Sequence, residues 1–150
     1  MASAWRSPRD MAAMLAEMTF DPNRPSFWLL NVGETHYPYA LPDEDLAAWP
    51  RIPGVHGVVR GLTDDAEGTA TLEATIFDQE TLDRLRARQV GVVSYLDGVF
   101  AKLFQLVPRN TWLIVTSDHG ELFGEDSYFG HGPIAHDKVL EVPFVEGMVP

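Results

Sequence analysis

The spacing of apolar residues changes along the chain, and each spacing implies a different element. Residues 77–108, FDQETLDRLRARQVGVVSYLDGVFAKLFQLVP, carry Leu82, Leu85, Val92, Leu96, Val99, Leu103 and Leu106 at helical intervals. That pattern predicts a long amphipathic helix with one apolar stripe. Pro108 stands just past its end. Gly91 and Gly98 each weaken such a helix by about 1 kcal/mol relative to Ala, so close packing against a neighbour is the expected reason for them. Two continuous apolar runs, FWLLNV at 27–32 and TWLIVT at 111–116, predict short strands buried on both faces. VPFV at 142–145 predicts a third strand. Near the start, SPRDMAAMLAEM predicts a helix, with Ser7 as its cap and Pro8 in its first turn.

Residues 33–72 are rich in Pro, Gly and Asp and predict a long loop with short structured pieces. A loop of this length is usually functional or disordered, and its Trp, Tyr and Pro content favours an ordered lid or wall. The order strand, loop, long helix, strand predicts a crossover between parallel strands. Parallel strands open their C-terminal ends onto one rim, where ligands of open α/β sheets bind. His36 follows the first predicted strand, and Asp118 and His119 follow the second. The expected fold is therefore α/β, a mostly parallel sheet with flanking helices, in one domain over residues 1–150.

Composition narrows the partners. The 150 residues carry a net charge of −11, which argues against a nucleic-acid surface or a polybasic membrane contact. An anionic substrate would need local positive charge from a metal or from scattered Arg and Lys. The absence of cysteine excludes disulfides, Cys-zinc sites and a Cys nucleophile. No apolar run reaches the ~20 residues of a membrane span, and the first residues are too interrupted by charge for a secretory signal. A cytoplasmic location is the expectation.

The densest chemistry lies in TSDHGELFGEDSYFGHG, residues 116–132. Asp118 and His119 are adjacent, and a chain bending just beyond a strand can aim both at one ion. A carboxylate with an imidazole suits Mn²⁺, Zn²⁺ or Fe better than Ca²⁺. The plainer reading is a turn-capping Asp beside a solvated His, and spacing alone does not separate the two. His131, between glycines, lines a site or sits in a simple loop. His36, in ETHYPY, contacts an anionic oxygen or is structural. His56 has no evident partner. His136 fits a helix face or the surface, and Lys138 is a solvated charge or an anion contact. PDEDL and TDDAEG read as solvated turns. There is no Walker loop, no GxGxxG and no GxSxG elbow.

Three ordered motifs resemble the sulfatase family of the alkaline phosphatase superfamily. NTWLIVTSDHGELFGEDSYFGHG, followed by VLEVPFV, is similar to the later part of its catalytic domain. PSFWLLNVGETHYPY resembles the family's earlier strand and His-x-Pro-Tyr loop, and VGVVSYLDGVFAKLFQLV the helix between them. The resemblance runs from Pro25 to Val145. It implies an alkaline-phosphatase-like fold, a divalent metal held by Asp118 and His119, and an anionic ester substrate contacted by His36 and His131. His131 would act as a substrate contact or leaving-group acid. His rather than Asn after the Asp resembles phosphodiesterase-, phosphonate- or phosphotransferase-like members, which often use Mn²⁺ or Zn²⁺. The family's Cys/Ser-x-Pro-x-Arg nucleophile signature has no counterpart here, since SPRD has the wrong spacing. The chain thus reads as a partial catalytic domain lacking the N-terminal strand and nucleophile segment, with little hydrolysis of its own. A missing half or self-association would follow. The alternatives are a non-catalytic metal- or anion-binding module and a phosphomutase- or phosphatase-type relative.

Overall fold

Asp10 begins the first helix. Its carboxylate accepts the Ala13 N–H at 2.8 Å, satisfying one of the donors that every helix N-terminus leaves open. In the computed structural model, which describes residues 10–45, 62–63, 71–72, 78–132 and 134–150, this helix is α1, Met11–Glu17. Ser7 and Pro8, the expected cap and first-turn residues, lie outside the described residues. Met11 and Leu15 on α1, with Met18 after it, are buried on one side, the i, i+4, i+7 spacing of an amphipathic turn.

Two short antiparallel strands follow, β1 Leu62–Thr63 and β2 Thr71–Leu72, then the long helix α2, Gln79–Leu106. The expected stripe on α2 is present: Leu82, Leu85, Val92, Leu96, Val99 and Leu103 are all buried. Leu106 departs from it and is exposed, while Val107, one residue beyond the helix, is buried instead. Val107 N–H still donates to Leu103 O at 3.0 Å, and a four-residue step from Leu103 continues the stripe at Val107. Gly91 and Gly98 also depart from expectation. Both are exposed, and an added Cβ at either would meet nothing within 4 Å, so no close packing requires them.

The remaining elements are β3 Trp112–Thr116, β4 Leu122–Phe123, a 3₁₀ turn Glu125–Ser127, β5 Phe129–Gly130, α3 Asp137–Leu140 and β6 Phe144–Met148. β3 pairs with β6. Asn110 N–H donates to Val149 O at 2.8 Å at one end, and Thr116 Oγ1 donates to Pro143 O at 2.9 Å at the other, so the pair is antiparallel. β3 is not buried on both faces as expected. Its exposure alternates, with Trp112 and Ile114 each 55% exposed, because a two-stranded ladder covers at most one face.

FWLLNV forms no strand. Residues 27–32 belong to no sheet among the described residues, and Phe27 and Leu29 are 88% and 84% exposed. An apolar run specifies a strand only where a ladder partner exists, and Trp28 instead meets the Phe20 ring edge-on at 6.1 Å. The expected parallel crossover is consequently not among the described elements, which are helices and two-stranded antiparallel ladders.

The chain divides into two compact units: Met1–Trp49 with Ala87–Ile114 and Glu146–Pro150, and Pro50–Arg86 with Val115–Val145. In the first, Glu34 is fully buried and its Oε1 accepts the Met11 N–H at 2.6 Å, tying the loop after residue 32 to the start of α1. Arg88 on α2 donates to Pro38 O at 3.2 Å and binds the Glu44 carboxylate. Burial, with the negative charges of Glu34, Asp10 and Asp43, pushes the Tyr95 phenol up from its ordinary value. In the second unit, Gly120 N–H donates to Val139 O at 2.8 Å, and a Cβ at Gly120 would collide with the Lys138 carbonyl. Space, rather than an unusual φ, is what requires glycine there.

Candidate functional site

β3 ends at Thr116, and the next residues turn away from the ladder. Ser117 Oγ donates to His119 O at 2.6 Å, and Thr116 Oγ1 holds Pro143, so this turn is fixed from both sides. Asp118 projects outward with its side chain 89% exposed, whereas the His119 side chain is only 29% exposed. His119 Nδ1 lies 2.8 Å from Gly120 O. A carbonyl can only accept, so Nδ1 carries a proton, and in the neutral imidazole Nε2 holds the lone pair. That Nε2 faces Asp118 Oδ1 at 3.7 Å. Two electron-rich atoms therefore face each other across a gap that one divalent ion, with bonds of about 2.0–2.2 Å to each, could span. The N and O donor set fits such an ion. Among the described residues no group of three or more His, Asp or Glu side chains is placed to hold a metal.

His131 arrives by a different route. β4 and β5 form a hairpin in which Leu122 pairs with Gly130 and Phe123 with Phe129. The five-residue connection uses a left-handed Gly124 with φ of 109° and a bond from Gly124 N–H to Tyr128 O at 2.9 Å. Phe123 and Phe129 pack edge-on at 5.8 Å. Extending the register by one position puts Glu121 opposite His131. Their side chains meet at 3.2 Å, Oε1 to Nδ1, with Glu121 only 7% exposed. The His131 ring then stacks on His119, with centroids 3.6 Å apart and planes 23° from parallel. Asp118, His119, Glu121 and His131 thus form one cluster inside the second unit. Sequence reasoning missed Glu121. The signal was present in the near-mirror arrangement of GELFG and YFGHG, which is what a hairpin looks like when read as a loop.

His36 belongs to the first unit. It is exposed, and its Nδ1 lies 2.9 Å from Tyr37 O, which again leaves the lone pair on Nε2. Its loop is held by His36 N–H to Gly33 O at 3.1 Å and Tyr39 N–H to His36 O at 2.8 Å, with a cis Tyr37–Pro38 bond between. His136 has a structural task. Its Nδ1 accepts the Lys138 N–H at 3.0 Å at the start of α3, and its Nε2 lies 3.3 Å from Asp126. Lys138 is exposed, with Nζ 3.9 Å from Glu141 Oε2. His56 lies outside the described residues.

A family model described as Sulfatase matches residues 6–146. The chain belongs to the sulfatase family. The match reaches well ahead of Pro25, so the segment holding α1, which the motifs leave outside the resemblance, is part of it. Comparison with curated proteins and with solved structures finds no match. Sulfatase-family membership brings with it the alkaline phosphatase superfamily, an α/β fold of that type, sulfate esters as the family's substrates and a divalent metal ion as its general cofactor. Among the described residues no helix is long and apolar enough to cross a membrane.

Proposed function

We propose that this chain supplies the metal and substrate-contact part of a sulfatase-like hydrolase acting on sulfate or phosphate esters. Asp118 and His119 would hold the divalent ion, Mn²⁺ or Zn²⁺ in preference to Ca²⁺, because a mixed carboxylate–imidazole set disfavours calcium. When bound, that ion supplies charge neutralisation for the transferring group and activation of a nucleophile. His131 would meet the ester oxygen or the leaving group, with Nε2 as the atom that takes or gives a proton. The mostly parallel sheet expected of the superfamily belongs to the same proposal. The observation that carries it is the lone-pair face of His119 Nε2 turned toward Asp118 Oδ1 at 3.7 Å.

Calorimetric titration with Mn²⁺ and Zn²⁺ tests the reading. Binding by the chain should be lost in both Asp118→Ala and His119→Ala. Equal binding in all three proteins would overturn it. A second reading is a non-catalytic module that binds a metal or an anion. It is favoured by the absence of cysteine and of any Cys/Ser-x-Pro-x-Arg run, so that no nucleophile is assigned in this chain. Turnover of a generic aryl sulfate or phosphate ester that disappears in Asp118→Ala would eliminate that second reading.

A further inference from the structure

We infer that Glu121 is the positioning residue for His131, fixing both its tautomer and the direction of its Nε2. This rests on the reading of His131 as a substrate contact. Three independent observations converge on Glu121. Continued one position beyond the Leu122–Gly130 pair, the hairpin register puts it opposite His131, so the β4–β5 ladder brings the two residues together. Its carboxylate is nearly buried and lies 3.2 Å from His131 Nδ1. The other face of His131 is covered by the His119 ring at 3.6 Å, which leaves the imidazole little room to flip.

The consequence is chemical. An ionised carboxylate only accepts, so the Nδ1 proton of His131 is committed to Glu121. The lone pair is then on Nε2. A neutral imidazole left to itself does not hold that tautomer, and a carboxylate behind a functional His is a recurrent means of imposing it. His119 achieves the same with the Gly120 carbonyl at 2.8 Å. The two stacked rings are thus polarised alike, one by a backbone oxygen and one by Glu121.

Long-range ¹H–¹⁵N correlation of the histidine rings, on metal-free ¹⁵N-labelled protein under alkaline conditions where imidazole is neutral, decides the matter. Wild type should show the His131 proton on Nδ1. Glu121→Ala should move it to Nε2, and Glu121→Gln, whose side-chain oxygen still accepts, should keep it on Nδ1. A wild-type His131 protonated on Nε2, or an Ala variant with an unchanged ring, would overturn the inference. The wild-type spectrum alone suffices if the Ala variant loses its folded dispersion. A second titration adds inorganic sulfate to the Zn²⁺-loaded protein and follows the His131 ring. Sulfate affinity should rise in Glu121→Ala, where Nε2 carries a proton that a sulfate oxygen accepts, and stay at the wild-type value in Glu121→Gln. Sulfate that leaves wild-type His131 unmoved would overturn the substrate-contact role while the tautomer still reports on Glu121, so the two failures are distinguishable.

Discussion

Glu44 and Arg88 show how much one ion pair settles locally. The Arg88 guanidinium beside Glu44 holds its carboxyl below the ordinary carboxylate range. A lowered pKa in the folded state means stabilisation that is present above about pH 4.3, the unfolded value, and lost as pH falls through the folded one. Both side chains keep some solvent contact, so the contribution is about 1 kcal/mol at most. In urea unfolding, wild type should exceed Glu44→Gln by its widest margin near neutral pH, and the margin should shrink in acid. A margin independent of pH would remove the ion pair from the account. At this scale the sequence was partly legible. That Asp118 and His119 stand side by side just past β3 could be read, because adjacency at a strand end is a local property. The task of Glu121 could not, because it depends on which residue of a second strand stands opposite. His136 was unreadable for the converse reason: its part as a cap appears only once α3 starts at Asp137.

The long helix was legible almost to the residue, because seven turns of repeated apolar spacing leave one solution. What spacing does not reveal is whether a glycine within it is needed. At Gly91 and Gly98 an added methyl meets open space, so Ala at either should raise stability by about 0.5–1 kcal/mol through helix propensity alone. Gly120 reverses the sign. There a Cβ would run into the Lys138 backbone carbonyl, which cannot yield as a side-chain tip would. Gly120→Ala should therefore lower the thermal midpoint while the two helix variants raise theirs, as read by circular dichroism. A destabilising Gly98→Ala would mean that this face of α2 is covered in solution. The strands were less legible than the helix. TWLIVT and FWLLNV look alike as apolar runs, but one finds β6 as a partner and the other finds none among the described residues. A ladder is a relation between two segments, and neither segment encodes it alone.

For the molecule as a whole, the family was legible from three motifs in order, whereas the sheet architecture was not, because motifs mark loops at strand ends and leave the pairing unstated. The same unpaired edges have a physical consequence. β3 and β6 form a two-stranded sheet, marginal in isolation, and neither has another strand beside it among the described residues. Trp112 and Ile114 on β3, with Phe144, Val145 and Met148 on β6, remain exposed. Apolar side chains beside open backbone edges favour association with further copies. The net charge of −11 opposes it through repulsion that salt screens over about 10 Å at 0.1 M. The balance of the two predicts a specific dependence. The mass measured by light scattering should rise with protein concentration, and rise further when salt is added, because screening removes the repulsion and leaves the apolar contact. Ile114→Lys, which puts a like charge on the exposed face of β3 and leaves the α2 stripe untouched, should reduce the association. A monodisperse monomer at high concentration in high salt would mean that these faces are satisfied within the chain.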